Sequence, residues 1–458
     1  MIPMTLAEIA AAVGGTVSTD VAGLDVVGPS YVDSRRPEAG GLFLAVAGEH
    51  VDGHDYAAGA HAVLGTRPTA APTVVVDDTV SAAGRLAAHL VGRLPATVLA
   101  LTGSQGKTGT KDYLAHVLAT AGPTVATAGS LNNELGLPLT VTRADAATAH
   151  LVLEMGARGI GHIAYLCGIA PPQVAAVLNV GTAHLGEFGS REAIAQAKGE
   201  IVEALPADGT AVLNADDALV AAMAARTAAR VLTFGVGGDV AWRAVELDDL
   251  GRPSFELGHD GAWTPVTLLQ SGQHQVANAA AAAALAIAAG MRLDRVAAAL
   301  ATAAPASPMR MDVRERPDGL LVVNDAYNAN PASMRAGLDA LVAIGGRRGR
   351  RTVAVLGEMR ELGATAYDEH VGVGRTAAGL GVDVVVAVGA EAAGIADGAR
   401  AAEPAPGEVI LTAGRAEALR WVRENVSGSD VVLVKASRGA ALETIADGLL
   451  EGGRAARC

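Results

Sequence analysis

Aromatic side chains are scarce in this chain: they make up 3% of its 458 residues, although half of all residues are hydrophobic. This scarcity argues against a binding platform of stacked rings and against a small β-sandwich. It favours large cores of Ala, Val and Leu between sheets and helices. The length exceeds that of one ordinary domain, so we expect two to four domains.

Cysteine is nearly absent, and the two that occur, Cys167 and Cys458, have no metal-binding or redox spacing. This predicts a reduced, cytoplasmic protein. The first residues lack a basic start followed by a long apolar core, so we expect no signal peptide. The longest apolar run, residues 279–291, is too short to cross a bilayer. It therefore argues against membrane insertion and predicts a buried helix.

Basic residues are outnumbered, because 35 Lys and Arg stand against 48 Asp and Glu, for a net charge of −13. A chain with this balance is not expected to bind nucleic acid or an anionic membrane through its general surface. A local basic pocket for phosphates remains compatible with it.

The strongest positive signal is the stretch TVLALTGSQGKT at residues 97–108. An apolar run that predicts a strand ends in a glycine-rich loop, and a helical pattern follows. This is the context of a phosphate-binding loop, in which backbone N–H groups and a helix N-terminus meet anionic oxygens. A nucleotide would be bound by Thr102, Gly103, Ser104, Gln105, Gly106, Lys107 and Thr108. Lys107 can reach the outer phosphates and Thr108 can hold Mg²⁺.

The loop is shorter than the usual one, since only two residues separate Gly103 from Gly106. The alternative, a glycine turn with a chance lysine, explains neither the strand before it nor the helix after it.

Strands and helices alternate through the rest of the chain, which predicts an α/β protein with three domains. Residues 1–95 form a small α/β unit, residues 96–305 a mostly parallel central sheet around the loop, and residues 306–458 a doubly wound, Rossmann-like unit. The expected strands lie at residues 42–46, 73–76, 98–101, 151–154, 174–178, 211–213, 320–324, 352–356, 382–388, 409–411 and 431–434.

Polar residues follow several central strands, and the carboxyl ends of parallel strands share one edge of a sheet. Glu154 and His184 therefore belong on the same rim as the phosphate loop. Lys198 lies between Ile194 and Ile201 on the apolar stripe of a helix that Ser190 is expected to cap. A charged, unpaired lysine is costly there. It either snorkels to solvent or points into the site, paired with phosphate or carbamylated by CO₂.

Four further residues are candidates for ligand contacts. Asn278 begins the alanine-rich helix, where it either hydrogen-bonds the helix start or contacts a base. Arg310, in the junction before the third unit, could reach the nucleotide. Ser34 and Arg35 could bind a phosphate or a base, but their spacing alone favours a turn with a solvated arginine pair.

These residues together resemble the Mur ligase family. The matching stretches include DSR at 33–35, TGSQGKT at 102–108, NNE at 132–134, EMGA at 154–157, AKGEI at 197–201, YNANPASM at 327–334 and KASR at 435–438. Departures are Gly109, Asn324, Ala326 and Ala436, at positions where the family usually has other residues.

The resemblance implies an ATP-dependent ligase that joins D-alanyl-D-alanine to UDP-N-acetylmuramoyl-tripeptide through an acyl phosphate and a tetrahedral intermediate. The three units would bind the UDP substrate, ATP and the dipeptide, and we expect a monomer. Lys107 would stabilise the transferred phosphoryl group. Mg²⁺ would be held by Thr108 and Glu154, and a second Mg²⁺ by His184 and carbamylated Lys198.

Further implied contacts are divided between the nucleotide and the two substrates. ATP would be contacted by Asn278, Arg310 and Asp325. The UDP-linked substrate and the dipeptide would be contacted by Ser34, Arg35, Asn132, Asn133, Tyr327 and Asn328.

Two other functions stay open at this stage. One is a sibling ligase or a folylpolyglutamate synthase, which the N-terminal unit disfavours because folate ligases lack a UDP-binding unit. The other is an inactive nucleotide-binding protein, which the joint presence of Lys107, Glu154, His184 and Lys198 disfavours. The sequence does not tell whether lysine or diaminopimelate is the third residue of the tripeptide.

Overall fold

The N-terminal unit is organised on a small sheet. A computed structural model describes residues 1–18, 21–181 and 188–451 of the chain. Thr5 caps the first helix as a capping box with Glu8, because its hydroxyl accepts from Glu8 N and the Glu8 carboxylate accepts from Thr5 N. The elements of this unit are β1 (Met4–Thr5), α1 (Leu6–Val13), β2 (Thr16–Val17), β3 (Asp25–Val26), β4 (Ser30–Tyr31), β5 (Leu42–Leu44), a 3-10 turn (Gly53–Tyr56), β6 (Ala62–Gly65), β7 (Thr73–Val75) and α2 (Thr79–Val91).

The sheet order is β2-β7-β6-β5-β4, with parallel pairing except between β2 and β7, and β1 pairs with β3 separately. β5 and β7 confirm the two strands expected here.

The central unit carries the phosphate loop. Its elements are β8 (Thr97–Thr102), α3 (Lys107–Ala119), β9 (Thr124–Ala126), α4 (Gly136–Val141), β10 (His150–Glu154), α5 (His162–Ile169), β11 (Val174–Val177), α6 (Arg191–Glu203), β12 (Thr210–Asn214), α7 (Ala218–Ala221), a 3-10 turn (Ala222–Arg226), β13 (Arg230–Phe234), β14 (Val240–Leu247), β15 (Pro253–His259), β16 (Ala262–Thr267), α8 (Gln275–Ala288) and α9 (Leu293–Leu300).

Nine strands of the described residues form the central sheet in the order β16-β15-β14-β13-β12-β11-β8-β10-β9. The pairing is parallel from β9 to β14 and antiparallel in the last three strands. The chain leaves β8 toward β9 and β10 on one side and returns to β11 on the other. The strand order therefore reverses at β8, which is where ligands bind in open α/β sheets.

The C-terminal unit is a second, mostly parallel sheet. Its elements are β17 (Asp312–Glu315), β18 (Leu321–Asn324), α10 (Pro331–Arg348), β19 (Arg351–Leu356), a 3-10 turn (Gly363–Thr365), α11 (Ala366–Gly379), β20 (Val384–Val388), a 3-10 turn (Ala390–Ala392), α12 (Ala393–Arg400), β21 (Glu408–Thr412), α13 (Arg415–Asn425), β22 (Asp430–Lys435), a 3-10 turn (Arg438–Ala440) and α14 (Glu443–Glu451). The order is β17-β18-β22-β19-β20-β21, and only β17 pairs antiparallel.

Apolar side chains cover both faces of the two large sheets. In the C-terminal unit one core includes Leu338 and Ile395 and the other includes Val422 and Ile445, as a doubly wound sheet requires. On one face of the central sheet the core runs without a break into the N-terminal unit, from Ile201 to Leu6. The expected α/β class with three sheet-based units is confirmed, whereas the boundaries at residues 95 and 305 stay predictions.

Helix α6, which carries Lys198, is fixed from two sides. Ser190 caps it as expected, through Oγ and the Ala193 N–H. Arg226 donates to the carbonyls of Ala195 and Gln196, at 3.0 and 2.8 Å. A Cβ on Gly199 would lie 1.9 Å from the Arg226 guanidinium, so only glycine leaves room for this clamp.

None of the described helices is long and apolar enough to span a membrane.

Candidate active site

A cavity of about 1050 Å³ lies between the carboxyl ends of the central and C-terminal strands. Val80 and Ser81, at the start of α2, place the N-terminal unit at its edge. Among the described lining residues, seven are Lys or Arg and five are Asp or Glu, although the whole chain is strongly acidic. The cavity is thus the local basic pocket that the composition left open.

The phosphate loop forms one wall. Ser104 N donates to the Asn179 carbonyl at 3.1 Å, and Gln105 N donates to Asn179 Oδ1 at 2.9 Å, so the end of β11 fixes the loop that follows β8. Gly106 has φ 77°, and a Cβ there would lie 2.4 Å from Asn278 Oδ1. The loop therefore needs glycine at this position both for its backbone angle and for its contact with α8.

Lys107 begins α3, and its ammonium folds back to donate to the Gly103 carbonyl at 2.7 Å. Burial lowers the pKa of Lys107, with a smaller upward effect from Glu154 and a smaller downward effect from Arg310. The charges of Glu154 and Arg310 thus both act on the Lys107 ammonium.

Glu154 ends β10 with 2% of its surface exposed. One carboxylate oxygen accepts from the Thr108 hydroxyl at 2.9 Å and the other from Asn132 Nδ2 at 2.7 Å. A buried hydroxyl and carboxylate thus meet beside the phosphate loop, and Asn132 fixes the orientation of the carboxylate.

Lys198 also lines the cavity, with 5% of its surface exposed. Burial lowers its pKa well below the ordinary lysine value, and the charge of Lys107 adds to this effect. It has no hydrogen bond or ion pair with any other described residue. The lysine therefore points into the site rather than snorkelling to solvent. His184 lies outside the described residues.

The described side chains offer Mg²⁺ an oxygen-rich but incomplete site. No group of three or more His, Cys, Asp or Glu within residues 1–18, 21–181 and 188–451 is arranged to hold a metal. Thr108 and Glu154 supply a hydroxyl and a carboxylate, the donors Mg²⁺ prefers, and a phosphate-bound Mg²⁺ needs few protein ligands. The residues fit Mg²⁺ held jointly by protein and nucleotide.

The C-terminal wall faces this loop. Asp325 follows β18, Lys435 ends β22, and the ammonium of Lys435 contacts Asp325 Oδ2 at 2.6 Å. The Arg310 guanidinium lies 4.1 Å from the centre of the Tyr327 ring, and the Tyr327 hydroxyl bonds that of Ser130 in the central unit. These contacts connect the two walls.

Most of the sequence-predicted site residues meet in this cavity. It is lined by Ser104, Gln105, Gly106, Lys107, Thr108, Asn132, Asn133, Glu154, Lys198, Asn278, Arg310, Asp325, Tyr327 and Asn328.

Four of the predicted residues do not line it. Thr102 is the last residue of β8 and Gly103 is the first residue of the loop. Ser34 and Arg35 lie in the N-terminal unit, where Arg35 makes a bidentate pair with Asp33 and has 87% of its side chain exposed.

Several lining residues were not among the predicted site residues. Asn179 follows β11, so the pattern of polar residues after central strands includes it together with Glu154, although it was not selected as a site residue. His274 precedes α8 beside the selected Asn278, and burial lowers its pKa while the charge of Asp325 opposes that effect. No pattern in the sequence indicates that Ser130 meets Tyr327.

A compact phosphate loop at the reversal point of one parallel sheet, opposed by the strand ends of a second sheet, defines a nucleotide-dependent enzyme with a two-walled cleft. Sequence profiles agree: the Mur ligase middle domain matches residues 101–286, and the Mur ligase glutamate ligase domain matches residues 309–438.

Individual relatives cover nearly the whole chain. The UDP-N-acetylmuramoyl-tripeptide–D-alanyl-D-alanine ligase of Mycobacterium tuberculosis (strain ATCC 25618 / H37Rv) is 46% identical, with 98% of each chain covered. A crystal structure of MurF from Acinetobacter baumannii matches with a TM-score of 0.87 at 34% identity, covering 98% of this chain and 99% of that one. MurF of Thermotoga maritima, solved with ADP, matches with a TM-score of 0.80 at 31% identity, covering 93% and 98%. The chain belongs to the Mur ligase family.

Proposed function

We propose that this protein uses ATP to join D-alanyl-D-alanine to UDP-N-acetylmuramoyl-tripeptide, a step in the synthesis of peptidoglycan precursors. The observation that carries the proposal is the meeting of Lys107, Thr108 and Glu154 in one cleft opposite Arg310 and Asp325. The activity named for relatives that match this chain end to end supports it.

In this proposal the phosphate loop binds ATP with its γ-phosphate beside Lys107, and the tripeptide carboxylate attacks that phosphate to give an acyl phosphate and ADP. The neutral amine of the dipeptide then attacks the acyl carbon, and the tetrahedral intermediate collapses with loss of phosphate while the nitrogen releases a proton to solvent. Phosphoryl transfer depends chiefly on positioning and charge stabilisation. Lys107 and Arg310 supply cationic contacts, and Mg²⁺ held by Thr108 and Glu154 would neutralise phosphate charge.

We further propose that Lys198 works as a carbamate. Burial lowers the pKa of its amine and so favours the neutral form. The neutral nitrogen attacks CO₂, forming an N–C bond while one C=O π bond opens and a proton leaves the nitrogen to solvent. The product is an anion whose oxygens suit Mg²⁺. His184 is assigned to the same metal by resemblance alone.

The remaining assignments stay predictions. Asn278 would lie near the adenine, and Ser34 and Arg35 near the UDP end. Asn132, Asn133, Tyr327 and Asn328 would follow the sugar-peptide and dipeptide path. A monomer and a cytoplasmic location are likewise expectations.

The direct test measures phosphate release from ATP with purified protein, Mg²⁺ and both substrates. Release that requires UDP-N-acetylmuramoyl-tripeptide and D-alanyl-D-alanine together supports the proposal. Equal release when a single amino acid replaces the dipeptide would identify a sibling ligase instead. Lysine- and diaminopimelate-containing tripeptides, assayed side by side, would identify the third residue.

A further inference from the structure

The segment that joins the two walls is strained. Met309 and Met311 have φ values of 59° and 51°, which non-glycine residues seldom adopt, and Arg310 lies between them. Such backbone persists only where surrounding contacts enforce it. We call residues 309–311 the hinge segment.

Two contacts from the C-terminal unit hold this conformation. The Tyr327 N–H donates to the Met309 carbonyl at 3.2 Å, and the Met311 N–H donates to Asp325 Oδ1 at 3.1 Å. The face of the Tyr327 ring packs against the Arg310 guanidinium. Both sides of Arg310 are thereby fixed to the loop that follows β18.

Asp325 is itself held by Lys435. The ammonium of Lys435 lies 2.6 Å from Asp325 Oδ2 and also donates to the Asn328 carbonyl at 3.0 Å. Lys435 is 2% exposed, so little water competes for this bond. One oxygen of Asp325 thus binds a buried cation, and the other binds the hinge segment.

Arg310 must be accurately positioned relative to Lys107 if it is to contact a bound phosphate. It lines the cavity, its charge acts on Lys107, and its buried Nε has no hydrogen-bond partner among the described residues. A buried donor without a protein partner is costly unless a ligand completes it. The phosphates of a nucleotide on the Lys107 loop are the ligand that fits.

We propose that Lys435 is a positioning residue: it fixes Asp325, Asp325 fixes the hinge segment, and the hinge segment presents Arg310 to the phosphate groups at Lys107. The identity of the ligand rests on the proposed function. The contact chain from Lys435 to Met311 does not depend on that function.

The test compares steady-state kinetics of Lys435→Met, Arg310→Ala and the double variant. We expect Lys435→Met to lower kcat roughly tenfold to a hundredfold, because a small misplacement of a charge contact is costly, while KM for the dipeptide stays unchanged. In the Arg310→Ala background the same substitution should add almost nothing, since its effect passes through Arg310.

Arg351→Met is the matched control. Arg351 of β19 pairs with Asp430 at 2.9 Å, and Asp430 lies at the opposite end of β22 from Lys435. This variant therefore also breaks an ion pair to a buried partner. It should lower the melting temperature and leave kcat unchanged.

A second readout needs no activity. Because the Met311 N–H bonds Asp325, its hydrogen exchange should accelerate in Lys435→Met and stay slow in Arg351→Met. Unchanged exchange in Lys435→Met would overturn the proposal even if the protein proved not to be a ligase. Additive kinetic losses, or a raised dipeptide KM at normal kcat, would also overturn it, because Lys435 would then act on the substrate directly. An inactive wild type with the expected exchange pattern would reject the proposed function and keep the hinge assignment.

Discussion

The two walls of the cleft differ in whether their basic side chains are paired with acidic ones. On the central wall, Lys107 contacts a backbone carbonyl and Lys198 has no partner among the described residues. On the C-terminal wall three cations are paired within the protein, Lys435 with Asp325, Arg360 with Glu358, and Arg438 with Glu443. The exception is Arg310, whose buried Nε has no hydrogen-bond partner among the described residues. A buried basic group without a partner is stabilised as a cation only when an anion arrives, whereas a paired cation is already satisfied. We therefore expect phosphate to meet Lys107 and Arg310, and the paired residues of the C-terminal wall to orient the groups that meet it.

Removing a cation from the central wall should have the largest effect. We expect Lys107→Ala to lower the rate of acyl-phosphate formation about a hundred- to thousandfold, equivalent to roughly 3–4 kcal/mol of barrier. Single-turnover formation of ADP measures this. Arg243→Ala, which breaks an exposed pair between Arg243 of β14 and Glu256 of β15, is the control and should behave as wild type. A folded Lys107→Ala protein with near-normal turnover would remove the assignment of this loop.

Substitutions of Lys198 distinguish a carbamate from an ammonium that contacts phosphate. If it is carbamylated, Lys198→Ala should lose nearly all activity and Lys198→Glu, whose carboxylate approximates the carbamate, should keep more. Bicarbonate should then restore the rate of CO₂-depleted wild type and leave both variants unchanged. If Lys198→Arg is instead the most active variant and bicarbonate does nothing, the ammonium itself contacts phosphate.

The pH dependence of the free energy of unfolding should show that Lys198 is unpaired in the folded protein. The folded-state pKa of Lys198 is lowered, so between that pKa and about 10.5 the unfolded chain binds more protons, and stability must rise with pH. With CO₂ depleted, Lys198→Met should be more stable than wild type at neutral pH, and the gap should close as pH rises. Urea unfolding across this range measures it. If the difference in stability between Lys198→Met and wild type does not change with pH, Lys198 is charged in the folded protein.

The contact between the walls should matter less than either charge. Tyr327→Phe keeps the ring that supports Arg310 and removes the hydroxyl that bonds Ser130. We expect a cost of about 1 kcal/mol, seen as a roughly fivefold higher KM for ATP. Tyr327→Ala should cost more, because it also removes the ring. Equal effects of the two variants would argue that the ring does not support Arg310.

The smallest effect concerns the interior behind the central wall. Burial, with a smaller contribution from Glu200, raises the pKa of the Cys167 thiol to about 12. In a Cys458→Ser variant, which leaves Cys167 as the single thiol, a disulfide reagent at pH 8 should react only as fast as the protein unfolds. Rapid modification of the native protein would mean that this interior opens to solvent.

The sequence predicted the central wall better than the C-terminal one, and the reason is physical. Strands of Val, Leu and Ala that end in polar residues place Glu154 on the rim, because a parallel sheet brings its carboxyl ends together. The pairing of Asp325 with Lys435 depends on β22 inserting beside β18, more than a hundred residues earlier in the chain. Nothing local encodes that register.

The antiparallel strands β14, β15 and β16 were also not predicted. Alanine and glycine blur the apolar alternation of these strands. A usable signal was nevertheless present, since β15 and β16 are joined by Asp260 and Gly261, both with positive φ. Asp-Gly is among the strongest short-range hairpin signals.

Helix α8 has a genetic consequence. Residues 279–286 are fully buried and, apart from Leu285, all alanine. The helix packs on α3. Asn278, near its start, lies against Gly106 and Gly109 of the loop region. A single-base change in an alanine codon yields Gly, Ser, Thr, Val, Pro, Asp or Glu. Most of these are too large for a packed interface, too polar for it, or break a helix. This alanine run should therefore tolerate fewer random mutations than the cleft residues it supports.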